Sequence, residues 1–231
     1  MVRSSTLSIR ARGPWALFTR PELKTERVSY PCITPSAARG LFEAIFWKPI
    51  FNWNIERIHI LSPINYVSIL RNEVKPKGKL PNIDKKIVTC KPIMVNKDSV
   101  RMQRNSVVLR NVDYIIDAFM VFEASRLRAD ENPVKYETMF KRRVSSGQCH
   151  HTPCLGCREF AANISPAHGA PPPIQETQNL GKMLWDIDYK SEPKRSILFD
   201  AKIVNGVIDV PVVIQSERIP EVLNRDITSA T

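Results

Sequence analysis

Three thiols and two imidazoles fall within nine residues of this chain, C-H-H-T-P-C-L-G-C from Cys149 to Cys157. Thiolate and imidazole are the side chains zinc prefers, and Cys154-x-x-Cys157 has the spacing of a zinc knuckle. A second C-x-x-C or H-x-H pair at the usual distance is missing from the sequence, so packed free thiols are the alternative, and no metal is expected. Redox chemistry at the C-x-x-C pair would need a thioredoxin-like β-α-β context, which does not surround it. A second concentration of chemistry lies between Arg12 and Tyr30, where Arg12, Arg20, Lys24 and Arg27 lie among Trp15, Phe18 and Tyr30. Cations among stacking rings suit single-stranded nucleic acid. A solvated loop above core aromatics is the other reading.

The elements that position these groups are legible from periodicity and punctuation. Leu7, Ile9 and Ala11 alternate with Ser8, Arg10 and Arg12, which predicts a strand with one buried and one basic face, ended by Gly13-Pro14. Thr34 as N-cap, Pro35 in the first turn and Pro49 as a stop predict a helix from Pro35 to Lys48. Ala37, Leu41, Ala44 and Ile45 form its apolar face; Arg39, Glu43 and Lys48 lie off it. Phe51 to Leu61 reads as a strand whose buried parity changes, which calls for a bulge near Glu56 and Arg57. Ile64 to Val74 continues as another strand. Residues 75–105 form a long basic excursion with a short strand expected from Ile87 to Val95, either a phosphate-contacting flap or a solvated hairpin. Ser106 to Glu123 is β-prone and long enough for a central strand. Asn132-Pro133 starts a second helix with Tyr136, Met139, Phe140 and Val144 on its buried face and Gly147 past its end. Ser165 to Ile174, S-P-A-H-G-A-P-P-P-I, reads as a linker. Met183 to Tyr189 and Ile197 to Val204 look like strands, the second pairing with Val207 to Val213 through Asn205-Gly206. A tail follows Ile214.

The 231 residues have room for a substantial core, and the formal charge of +11 favours a polyanionic partner. That charge is uneven: residues 1–49 carry +5 and residues 71–104 carry +7, whereas residues 161–231 carry −2. No apolar run approaches the roughly 20 residues that span a bilayer, and M-V-R-S-S-T-L-S-I-R lacks a signal-peptide core. A cytoplasmic protein with free thiols and no membrane partner is expected.

Taken together, F-T-R-P-E-L-K-T-E-R-V-S-Y (18–30), T-P-S-A-A-R-G (34–40), W-K-P (47–49), L-R-N-V-D-Y (109–114) and P-C-L-G-C-R-E-F (153–160) resemble the CRISPR-associated Cas family five, subtype I-C. The resemblance implies a RAMP protein that cuts precursor CRISPR RNA and then holds its 5′ handle inside a Cascade complex, beside a backbone subunit and a large subunit. The fold expected is α+β: a ferredoxin-like (RRM- or RAMP-type) β-α-β-β-α-β domain over 1–164 with a basic hairpin insertion at 75–105. A linker at 165–174 and a small antiparallel β-subdomain with a tail at 175–231 complete it. The RNA-binding residues expected are Arg12, Arg20, Lys24, Arg27, Arg39, Lys48, Arg104 and Arg110.

The family's nuclease is metal-independent, so no cofactor is expected. Such cleavage needs a base for the ribose 2′-OH, a cation for the pentavalent phosphate and an acid for the leaving oxygen. The resemblance implies proton carriers at positions occupied here by Phe46 and Phe119, neither of which moves a proton. Lys48 is the nearby cation, and Asp117 is an anion that would repel phosphate. His59 reads as a structural strand histidine; His150 and His151 sit on a loop. RNA binding without efficient cleavage is the expectation, with an active endoribonuclease as the alternative.

Overall fold

In the computed structural model, residues 2–23, 26–75, 101–123, 132–189, 191–192 and 194–212 are described. Lys24, the expected strand at 87–95 and the tail beyond Ile214 lie outside them.

The protein is a strand-rich α/β structure built around one 22-residue strand, β6 (Arg101–Phe122). The first elements are β1 (Val2–Arg3), β2 (Leu7–Ala16) and β3 (Arg27–Val28). Helix α1 (Pro35–Ile45), β4 (Phe51–Ile60) and β5 (Tyr66–Val74) precede β6. Helix α2 (Pro133–Ser145) and β7 (Asn163–Pro166) follow, then β8 (Gln178–Asp188), β9 (Arg195–Ile203) and β10 (Val207–Asp209). The large sheet runs β10-β4-β6-β2-β7, with β1, β3 and β5 also on β6, while β8 and β9 form a separate ribbon. β6 serves two neighbourhoods. Its first half pairs with β5 as a protruding arm from Val74↔Arg101 to Tyr66↔Leu109, and its second half lies between β2 and β4.

Strand alternation sorts these residues onto two faces. Leu7, Ile9, Phe51, Trp53, Ile58, Ile116, Met120 and Phe122 point to one side and form a single core with Leu41, Phe42 and Ile45 of α1 and Tyr136 and Phe140 of α2. Phe42 lies between Trp53 and Phe140, with centroids 4.8 and 5.4 Å away. Stacked and tilted rings at such separations add about 0.5–1.5 kcal/mol per pair beyond burial. The other face carries Ser8, Arg10, Arg12, Arg57, His59, Asp113, Asp117 and Phe119, in register across β2, β4 and β6.

The bulge expected near Glu56 is present: the β4–β6 register shifts between Ile55 and Arg57, which returns Ile58 and Ile60 to the core. Both helix starts hold. Thr34 accepts from the Ala37 N–H at 3.3 Å, and Asn132 accepts from the Val134 N–H at 3.0 Å. Other expectations are corrected. Gly13-Pro14 does not end β2; the pairing runs on to Ala16, with Pro14 opposite Asn111, whose φ of 55° accommodates the kink. Helix α1 stops at Ile45, so Lys48 lies beyond it. Ser165 and Pro166 are not linker but the end of β7, paired with Arg10 and Ile9. Arg101 to Asn105 are strand rather than excursion. The Asn205-Gly206 turn forms with both φ positive (49° and 76°), but it returns only one bridge, Val204↔Val207. The strand that follows pairs with β4, and β9 pairs with β8.

Candidate nucleic-acid interface

The face of the sheet turned away from the helices is lined by groups from four strands. Arg3 of β1 places its guanidinium 3.8 Å from the Phe119 ring centroid. On β2, Arg12 is exposed, while Arg10 makes a two-point ion pair with Asp113 at 2.9 and 2.6 Å. At the centre is Asp117, only 6% exposed. It accepts from Ser8 Oγ at 2.6 Å and His59 Nε2 at 2.9 Å, with Arg57 Nε 3.4 Å away. Burial pushes the Asp117 carboxyl up, but the bonds from His59 and Ser8 and the Arg57 charge outweigh it, so the group is more acidic than an ordinary aspartate. Its charge is therefore matched by its neighbours, and the sequence-level view of Asp117 as a bare anion facing phosphate is corrected.

The expected RNA-binding residues separate into distinct environments. Arg20 lies over Tyr30 at 4.8 Å, with Glu22 3.8 Å away. Its positive charge also reaches Tyr66, which is 46% exposed and was not singled out from the sequence. Arg110 sits over Trp15 at 6.0 Å. Arg27 and Arg104 both approach Glu73 on the arm, at 3.2 and 3.7 Å. Lys48 is exposed next to Trp47, itself 54% exposed. Arg39 is committed elsewhere: it holds Asp186 of β8 through both terminal nitrogens and Glu43 through Nε at 3.4 Å. This ties α1 to the β8–β9 ribbon and engages the Arg39 guanidinium with two carboxylates. Of the three rings expected to stack on bases, Phe18 and Tyr30 are in the core and only Trp15 is partly accessible.

Phe46 and Phe119 are each fully buried, on opposite sides of the sheet. Phe46 caps α1, packs on Phe51 at 5.6 Å, and presents its carbonyl to Trp53 Nε1 at 2.8 Å. Phe119 lies opposite Asn54 on the outer face, under Arg3. The structure does not bring the two together. His150 and His151 lie away from Phe119 but on Phe46's side, at the end of α1: the His150 N–H donates to the Ala44 carbonyl at 2.7 Å, and both histidines line a cleft of about 490 Å³ with Ile45, Arg143 and Cys149. Arg143 there donates to the Ile45 carbonyl at 2.8 Å and lies 4.9 Å from the Phe46 centroid.

The P-C-L-G-C-R-E-F run is a tight turn docked on β2. Leu155 is fully buried and exchanges backbone contact with Leu17, whose N–H donates to the Leu155 carbonyl at 3.0 Å. Gly156 has φ +88°, and a Cβ on it would lie 1.9 Å from the Leu17 carbonyl oxygen. Cys154 and Cys157 are partly exposed, and among the described residues no group of three or more metal-ligating side chains converges. Burial and the neighbouring Cys157 push the Cys154 thiol up. Glu159 from this turn pairs with Arg71 of β5, tying the turn to the arm.

A mixed α/β scaffold sets two helices against one face of a sheet and, among the described residues, arginines and a neutralised acid on the other, a surface of the kind that suits an anionic partner. The sequence relationships name its kind. Residues 6–218 match the family described as CRISPR-associated protein (Cas_Cas5), and the chain belongs to that family. It is 43% identical over 209 residues to the CRISPR pre-crRNA endoribonuclease Cas5d of Mannheimia succiniciproducens, covering 86% of this chain and 92% of the relative. It is 40% identical over 223 residues to the protein of the same name from Thermus thermophilus, covering 89% and 91%. A crystal structure of a CRISPR-associated protein superposes with a TM-score of 0.65 at 22% identity, over 91% of this chain and 94% of that one, a likeness of fold. The family resemblance read from the sequence motifs is borne out.

Proposed function

We propose that this protein binds precursor CRISPR RNA and holds the 5′ handle of the mature CRISPR RNA within a Cascade-like complex, in contact with a backbone subunit and a large subunit. The observation that carries this reading is the 43% identity, across most of both chains, to a relative named for precursor CRISPR RNA. The open sheet face supports it, because Arg3, Arg12 and Arg57 are exposed there beside the basic β5–β6 arm. Strand order supports a ferredoxin-like core: β2-α1-β4-β6-α2-β7 along the chain lies as β7-β2-β6-β4 across the sheet. On this reading the part of the chain up to the end of β7 at Pro166 carries the RNA, 167–174 connect, and the mildly acidic 175–231 portion faces protein. Arg12, Arg20, Arg110 and Lys48 are the phosphate contacts expected to matter most, with Lys24 alongside them.

Fluorescence anisotropy with a labelled transcript of the CRISPR repeat from the protein's own genome tests the proposal. Binding at least about tenfold tighter than to a scrambled RNA of equal length, at salt near physiological, is the expected result. Equal affinity for both RNAs would remove it. A second reading, that the protein also cuts the repeat, is favoured by the names of both relatives.

A further inference from the structure

The family's implied proton-carrying positions hold two buried phenylalanines, yet the free sheet face contains a different pair able to move a proton. We propose that His59, held by Asp117, is the general base with which this protein cleaves RNA at a ribose 2′-hydroxyl. The inference deepens the second reading above and rests on the protein binding repeat RNA.

Three observations carry it. His59 Nε2 donates to the Asp117 carboxylate at 2.9 Å, which fixes the tautomer and leaves the lone pair on Nδ1; among the described residues no other hydrogen bond reaches the ring. The Asp117 carboxylate is buried and further held by Ser8 at 2.6 Å, so the acid is immobile, while the His59 side chain keeps 20% of its surface accessible. Arg57 is adjacent with 47% of its side chain exposed, in reach of any phosphate that approaches the imidazole. The other charged groups around His59 are Asp209 of β10, opposite Arg57 in the strand register, and the Arg10–Asp113 ion pair on β2 and β6. Arg12 continues the cationic track along β2.

In the step, the 2′-hydroxyl gives its proton to Nδ1 of His59, and the oxygen uses the freed electron pair to bond to the adjacent phosphorus. Arg57 faces the charge that builds on the phosphoryl oxygens. The bond from phosphorus to the 5′-oxygen breaks, and that oxygen takes its pair and a proton from water. The resulting hydroxide is neutralised by the proton held on His59. The products are a 2′,3′-cyclic phosphate and a 5′-hydroxyl, with no net water consumed. Asp117 is a positioning residue that also offsets the imidazolium charge.

The test is single-turnover cleavage of the repeat transcript in EDTA, with anisotropy on the same samples. The wild-type protein should cut to a 2′,3′-cyclic phosphate end, and a 2′-deoxy substitution at the cut site should abolish the reaction. His59→Gln should slow cleavage by about 10²–10⁴-fold while RNA affinity stays within about twofold. His59→Ala should be rescued by added imidazole, and Asp117→Asn should displace the pH–rate profile. Cleavage by His59→Gln at the wild-type rate overturns the inference, as does wild-type protein that binds the transcript and leaves it whole; RNA binding itself then stands. Failure to bind the transcript at all removes the functional reading together with this one.

Discussion

Arg39 and Asp186, 147 positions apart in sequence, form the clamp between α1 and the β8–β9 ribbon, with Arg39 donating through both terminal nitrogens, one at 2.9 Å. Burial lowers the pull of the Arg39 guanidinium on its proton, and the Asp186 carboxylate more than restores it. The pair is neither fully buried nor fully exposed, so its loss should cost about 1–3 kcal/mol, between the surface and interior limits. Arg39→Ala should therefore lower the melting temperature and open the 178–203 ribbon to limited proteolysis. Its affinity for repeat RNA should match the wild type; a drop of tenfold would return Arg39 to the RNA surface.

Gly156 has no room for a methyl group, since the Leu17 carbonyl oxygen is 1.9 Å from where it would sit. The φ of +88° adds backbone strain for any L side chain. Gly156→Ala should lose at least about 2 kcal/mol in urea unfolding. Gly147→Ala, also at positive φ but with open space around it, provides the comparison and should lose less.

RNA affinity should fall steeply with salt, and the slope reports which cations meet phosphate. Each contact removed from a single strand changes it by about 0.7. Replacing Arg12, Arg20 and Arg110 together should flatten the slope by about two units on that scale. Arg27 shares Glu73 with Arg104, so Arg27→Ala should change it by less than either of the first two. An unchanged slope in the triple variant would place the RNA elsewhere on the molecule.

Asp117 makes the fold acid-sensitive. Its carboxyl is more acidic in the folded protein than the ordinary 3.8, so the unfolded chain takes up the proton first as pH falls. The stability it contributes is complete above that ordinary value and disappears as pH drops through the lower, folded one. Chemical denaturation from pH 6 down to pH 2 should show this loss in the wild type. Asp117→Asn should be less stable at pH 6 and should show a shallower decline.

What the sequence revealed and what it concealed divide along the range of the interactions involved. Both helix starts were legible because a cap acts within three residues, as Thr34 on Ala37 and Asn132 on Val134 do. The bulge at Glu56 was legible because it shifts a period-two pattern inside one strand. The Asn205-Gly206 turn was legible as a turn, but a reversal of direction does not choose between the edges of β9 and β4. The His59–Asp117 pair depends on register between strands 58 residues apart, and no local pattern encodes it. Charge counting found Arg39 and Arg27 but not the carboxylates that claim them. Motif matching aligned Phe46 and Phe119 with a family site, whereas the face each ring occupies follows from β6 pairing.

The three residues of β10 close the edge of β4 with pairing from Val207↔His59 to Asp209↔Arg57, nearly 150 positions after the strand they cover. During synthesis β4 therefore emerges, pairs with β6 once that strand is made, and then waits with its second edge bare until residues 207–209 leave the ribosome. A nascent chain at that stage presents unpaired amides beside Arg57 and His59 and is open to β-sheet addition from another chain. Slow translation across the last third would lengthen that exposure, and the yield of soluble protein would depend on how quickly residues 207–209 follow.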